Sequence, residues 1–298
     1  MLNSTASRLG AFATGLVLAG GAAAGIGSIT HATPPLQDCL KVAAAQAGLD
    51  IGMMGDSGEA MAEPVPGADG RRSALAGITL KPAPTSFTAG TRVTWRFRLA
   101  GCDGKPVRKL EPENGKLLHL IVVRSDLTAY QHLHPRLNRD GSWSVQLATP
   151  QPGSYRAITD FVVDGRKYVL GTTLTVPGSA PQRPLPEPSL NASADGYDVE
   201  LQRPAEVRAG EEDQLTFRIT RGGRPVQDLQ PYLGAYGHLV ALHAPEAAYS
   251  HVHPAGEDRQ SGLITFNTEF PERGAFRLFL QFRAAGRVHT AQFTQEVS

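Results

Sequence analysis

Cysteine is nearly absent from this chain. The 298 residues hold two, Cys39 and Cys102, neither in a Cys-x-x-Cys pair nor close in sequence to a histidine. That excludes a redox-active dithiol and a blue-copper centre, which needs a Cys ligand beside its histidines. Charge of one sign is also lacking. The net charge is +1, with no basic stripe and no aromatic-rich basic groove, so nucleic acid is excluded as a partner. No long 3.6-period segment is present, which excludes a helical domain. There is no Ser-His-Asp order, nucleophile elbow, P-loop or dinucleotide fingerprint, so the chain does not read as an enzyme of those kinds.

What is present is a histidine pattern repeated at one spacing. His119 is followed by His132-Leu133-His134-Pro135, and His238 by His251-Val252-His253-Pro254. Six of the nine histidines sit in these two triplets. The repeat extends outward. Gly104-Lys105-Pro106-Val107 recurs as Gly223-Arg224-Pro225-Val226, and the copies align without a gap from there to the HxHP prolines, 119 residues apart. Downstream, Gly153-Ser154-Tyr155-Arg156 matches Gly274-Ala275-Phe276-Arg277. The period is that of a duplicated domain rather than a solenoid repeat.

Each copy is a series of short apolar or alternating runs broken by Gly, Pro, Asp and Asn. In the first copy they are Arg92–Leu99, Lys116–Val123, Ala129–His134, Ser142–Leu147, Ser154–Val163 and Lys167–Val176. The pattern predicts an all-β fold, two tandem Ig-like or cupredoxin-like β-sandwich domains. Domain one spans 75–177 and domain two 197–298. Between them 178–196, with Pro181, Pro184, Pro186 and Pro188, reads as a semi-rigid spacer.

Residues 1–30 read as a signal peptide or a membrane anchor. Arg8 precedes an uncharged run from Leu9 to Ile29. The length favours an uncleaved anchor helix, although Ala22-Ala23-Ala24 or Thr30-His31-Ala32 offers a small-residue cleavage site. Either way the remainder is expected outside the cytoplasm, because the positive charge lies before the run. Residues 31–74 read as a flexible tether, and an oxidising compartment permits a disulfide between Cys39 and Cys102.

A regular hairpin centred on Ser125-Asp126 places His119 opposite His132, with His134 on the same face. The same construction in domain two places His238 opposite His251, with His253 beside them. Three converging imidazoles in each copy predict a pair of metal sites for Cu(II) or Zn(II). Asp160 is the candidate fourth ligand of domain one, and its aligned counterpart is Gln281. The competing reading places these histidines in a core, because their face also carries Leu117, Ile121, Val123 and Tyr130. His31, His243 and His289 read as ordinary histidines.

The strings Leu118-His119-Leu120-Ile121-Val122-Val123 with Tyr130-Gln131-His132-Leu133-His134-Pro135, and Gly237-His238-Leu239-Val240-Ala241-Leu242 with Tyr249-Ser250-His251-Val252-His253-Pro254, resemble a known group. It comprises secreted or membrane-anchored actinobacterial proteins with tandem Ig-like or cupredoxin-like domains, some labelled heavy-metal-binding. The resemblance covers about residues 75–296 together with the N-terminal run. It implies that fold, an extracytoplasmic location and the six motif histidines as shared positions.

The expectation is therefore a non-catalytic, extracytoplasmic metal-binding protein for buffering, sensing or delivery, membrane-bound through its N-terminal segment. The alternative is a metal-free structural or interaction protein presenting Ig-like domains at the cell surface, with no protein partner named by the sequence. A metalloenzyme would need a positioned base, and only Asp160 presents itself.

Overall fold

The computed structural model describes residues 62–244, 246–250 and 252–298. The N-terminal run, most of the expected tether and Cys39 lie outside them. No helix among the described residues is long and apolar enough to cross a membrane.

Every regular element described is a strand. Domain one carries β1 (Glu63–Pro64), β2 (Ala74–Leu75), β3 (Ile78–Ala83), β4 (Thr91–Ala100), β5 (His119–Arg124), β6 (Gln131–Leu133), β7 (Arg136–Leu137), β8 (Trp143–Thr149), β9 (Gly153–Val163) and β10 (Arg166–Val176). Domain two carries β11 (Asn191–Ala194), β12 (Tyr197–Gln202), β13 (Glu212–Arg221), β14 (Arg224–Pro225), β15 (Gly237–His243), β16 (Ala248–Ser250), β17 (Val252–Asp258), β18 (Leu263–Glu269), β19 (Gly274–Ala284) and β20 (Arg287–Val297). The sheets of domain one run β1-β10-β9-β5-β6 and β2-β3-β4-β8-β7. Those of domain two run β16-β15-β19-β20 and β11-β12-β13-β18-β17, with β14 paired to β13. The expected pair of tandem β-sandwiches is what forms.

Alternation builds each core. In β4, Trp95, Phe97 and Leu99 point inward while Thr94, Arg96 and Arg98 are exposed. In β13 the same period buries Leu215, Phe217 and Ile219. The central strands β5 and β15 behave differently. β5 is buried at all six positions, and β15 is buried from Leu239 to Leu242. Strands of this kind are covered on both faces. Leu120 and Val122 enter the core of domain one, and Leu239 and Ala241 that of domain two. The opposite faces meet each other. Ile121, Val123 and Ile158 form one cluster with Val240, Leu242, Tyr249 and Phe279. Tyr130 stacks on Phe279 with ring centroids 3.9 Å apart. Ile121 and Val240, and Val123 and Leu242, are aligned positions, so equivalent patches of the two copies cover one another, as in an isologous dimer. Burying a side chain of this size stabilises by roughly 1.5–3 kcal/mol relative to exposure.

Two segments outside the sandwiches bind the domains together. Residues 62–74, expected to belong to the flexible tether, are instead laid along the edge of domain one. β1 pairs in parallel with β10, and Val65 N–H donates to Lys167 O at 2.9 Å. The segment crosses β10 at Gly171, where a Cβ would stand 1.8 Å from Gly70 O, so only glycine fits. Further on, Asp69 O accepts from Tyr249 N of domain two at 2.8 Å. Arg71 pairs with Glu246 at 2.7 Å and with Glu272, both in domain two.

The spacer is held from the other side. The fully buried Arg124 pairs with Asp126 and donates to Ala180 O at 3.1 Å and Pro181 O at 3.2 Å. Asp126 accepts from Arg183 N at 3.0 Å. Residues 177–190 form no strand, but Asn191–Ala194, the end of the expected spacer, already belong to β11. Cys102 is disulfide-bonded.

Candidate metal centre

The hairpin register differs from the regular one by two residues. Ile121, not His119, lies opposite His132, and in domain two Ala241 pairs with Ser250 and Leu242 with Tyr249. The loop makes the difference. Leu127 and Ala129 have positive φ (57° and 53°), and Arg124 N–H closes the turn on Thr128 O. A shift of two leaves every side chain on its own face, whereas a shift of one would have reversed them. His119, His132 and His134 therefore still share a face, the one pressed against domain two.

Ligand atoms of these three residues lie within 4.8 Å of one another. His119 is buried, and His132 and His134 are half-buried. His119 Nδ1 stands 3.0 Å from His132 Nε2. The outer nitrogens are both engaged. His119 Nε2–H donates to Glu113 O at 3.1 Å, since a carbonyl only accepts. His132 Nδ1 lies 2.7 Å from the side-chain oxygen of Gln281, in domain two. His134 Nε2 is buried with no hydrogen-bond partner.

Burial holds His132, His134 and His238 below the ordinary imidazole range. It is the largest cause of lowering for each shifted ring, and neighbouring positive charge adds to it. His132 lies well below the ordinary imidazole value, pushed by burial and then by His238, His119 and His134. His134 is lowered to about 4 by burial, His119 and Lys116. His238 is lowered to about 3 by burial, His119, Lys167 and His134. At neutral pH each of these rings keeps a lone pair, the form that binds metal.

Among the described residues, the first triplet is the one group of three whose ligand atoms converge. His238 packs against the domain-one triplet, its ring stacked 4.7 Å from His132 and 5.7 Å from His119. His253 is carried away, because β17 leaves the sheet of β15 and pairs with β18, setting His253 opposite Asn267. There it lines a cavity with Glu63, Glu212 and Glu269. His251 lies outside the described residues. Asp160 is paired in register with His119, and its Oδ1 is buried with no hydrogen-bond partner. Its carboxylate is 3.4 Å from Lys167 Nζ and is hydrogen-bonded by Tyr249, and it is not part of the convergent group. Lys167 also reaches Glu113 at 2.7 Å, so one buried ion network borders the histidines. His289 is satisfied by Asp195 at 2.8 Å and Ala284 O at 3.2 Å, as an ordinary core histidine would be.

Sequence reasoning missed Gln281 as the partner of His132 and His238 as a neighbour of the triplet. One signal was available. The histidine-bearing faces of both β5 and β15 are apolar, and an apolar second face on a sandwich strand calls for a cover.

A single family description, Domain of unknown function (DUF8832), matches the chain twice, over residues 73–178 and 192–298, together more than two thirds of its length. The chain belongs to this family. The first DUF8832 copy supplies the histidine triplet, and the second supplies His238 and Gln281. No curated protein matches the sequence. Among solved structures, the Escherichia coli adhesin FdeC is similar at 16% identity and a TM-score of 0.26, with 74% of this chain and 64% of that chain covered. Yersinia pseudotuberculosis InvD is similar at 14% identity and a TM-score of 0.25, with 74% and 57% covered. Invasin, a bacterial integrin-binding protein, is similar at 11% identity and a TM-score of 0.24, with 74% and 39% covered. The chain thus spans less than two thirds of each of these chains.

Proposed function

We propose that this protein binds one transition-metal ion, Cu(II) or Zn(II), through His119, His132 and His134, and acts without catalysis in buffering, sensing or delivery outside the cytoplasm. The observation that carries this reading is the hydrogen-bond pattern of the rings. With His119 Nε2–H donating to Glu113 O and His132 Nδ1–H donating to Gln281, the inner nitrogens of the two rings face each other with lone pairs, 3.0 Å apart. A cation between them resolves that conflict. The alternative turns the Gln281 amide so that its N–H donates to His132, an orientation fixed only by the network around it. That second arrangement leaves His134 Nε2 without a role, whereas an ion uses all three nitrogens.

Metal-bound histidines ordinarily give their other N–H to a carbonyl or carboxylate, as His119 and His132 do here. The spacing also fits, since tetrahedral ligands at a zinc–nitrogen distance of about 2.0–2.1 Å stand roughly 3.3 Å apart. Imidazole donors without a carboxylate suit Zn(II) and Cu(II) rather than Mg(II) or Ca(II). The extracytoplasmic part of the reading draws on the disulfide at Cys102 and on Arg8 preceding the Leu9–Ile29 run.

The test is titration of the full chain with Zn(II) and Cu(II) by calorimetry, beside a variant carrying His119→Ala, His132→Ala and His134→Ala. Binding near one ion per chain that disappears in the variant is the expected result. Equal binding by both proteins would sink the metal reading.

A second reading is a metal-free interaction protein, two β-sandwiches displayed at the cell surface. The mutual stacking and hydrogen bonding of the histidines favours it, since the rings already pack against one another. It expects histidine replacement to lower thermal stability by the same amount with and without added ion.

A further inference from the structure

We infer that the ion site is completed across the domain interface, with His238 of domain two as its fourth imidazole and Gln281 as the group that orients His132. This rests on the reading of the triplet as an ion site and adds where the rest of that site comes from. Three histidines leave one tetrahedral position open. Two described side chains compete for it from nearby, Asp160 and His238. Asp160 has its Oδ2 on Lys167 and lies outside the group whose ligand atoms converge, although its Oδ1 is unpartnered. His238 carries no hydrogen bond among the described residues, and its ring lies against two of the three ligands.

The backbone under His238 is fixed, because His238 pairs in register with Gln281 on the neighbouring strand of the same sheet. Gln281 is itself in contact with His132 at 2.7 Å. Both domain-two contributions are therefore carried by one rigid strand pair. That pair is pressed onto domain one by the apolar cluster around Val240, Leu242 and Phe279. His238 is stacked on its neighbours rather than aimed between them, so it joins the ion by turning its side chain without movement of the strand. Domain docking and ion binding are then linked. Whatever separates the domains removes a ligand and an orienting group, and an ion holds them together in proportion to its occupancy.

The experiment titrates the full chain with Zn(II) by calorimetry, comparing wild type with His238→Ala and Gln281→Ala. In parallel, wild type loaded with one equivalent of Cu(II) is examined by electron paramagnetic resonance, which counts coordinated imidazole nitrogens. The inference expects affinity to fall about 10–100-fold for Gln281→Ala, the range for loss of an orienting partner. It expects at least as large a fall for His238→Ala. Four nitrogens on the wild-type copper are expected. Wild-type affinity in His238→Ala, or three nitrogens on the wild-type copper, would overturn it while leaving the triplet as a metal site. Loss of the triplet with no change in affinity would overturn the metal reading itself. The nitrogen count decides the matter even if a variant fails to fold.

Discussion

The two domain copies begin from the same motif and use it differently. In domain one the strand after the hairpin stays beside β5 through Leu133, which keeps His132 and His134 near His119. In domain two the strand leaves after Ser250, and His253 ends on the other sheet. Gln131 accompanies this difference. Its side chain bonds both the N–H and the C=O of Ala148, occupying the edge of β8 that β17 would take in the other copy, where Ser250 stands at the aligned position. A second divergence is Asp160 against Gln281. The carboxylate goes into an ion network with Lys167, while the neutral amide reaches across the interface to His132. The second copy thus sets His238 and Gln281 against the triplet of the first.

The sharpest way to break the comparison is at Arg124 and its aligned residue His243. Arg124 is fully buried and holds the spacer through Ala180 and Pro181. Arg124→Met leaves Asp126 buried without its charge partner and should cost about 3–5 kcal/mol. His243, whose one hydrogen bond among the described residues is to Arg273 O, should cost about 1 kcal/mol when changed to Met. Urea unfolding of both variants checks this, and equal losses would refute the asymmetry.

Acid comes next. Loss of solvent lowers His134 to about 4 and His238 to about 3, against an ordinary 6.5. The unfolded chain binds protons on these rings first, so the metal-free protein should lose stability as pH falls from about 6.5 toward 4, and further toward 3. A urea midpoint that stays constant between pH 7 and pH 4.5 would contradict that.

The smallest expected effect sharpens the contrast between the copies. His253→Ala, at the position equivalent to His134, should leave ion affinity unchanged in the same calorimetric titration. A loss comparable to that of His134→Ala would mean that the second copy binds an ion of its own.

Much of the fold was legible because its signals are local. The period-2 runs marked the main strands, and β4, β9 and β10 lie within one residue of the runs read from the sequence. The shared face of His119, His132 and His134 was also legible, since parity survives a slip of two. Residues 62–74 were misread as tether because their partners, Lys167, Val169 and Tyr249, are far away in the chain. Gln281 was discounted for a sound reason, its weakness as a ligand, and its role as a hydrogen-bond acceptor for His132 depends on a contact between domains.

The sequence by itself determined that there are two copies, that each is a β-sandwich, and which side chains share a strand face. Those properties follow from spacing along one strand. Only the tertiary structure decided the two-residue register, the departure of His253, and the meeting of His238 and Gln281 with the first triplet. Register depends on loop residues such as Leu127 and Ala129 adopting left-handed conformations. The meeting depends on two apolar sheet faces burying one another, which no pattern within either copy specifies.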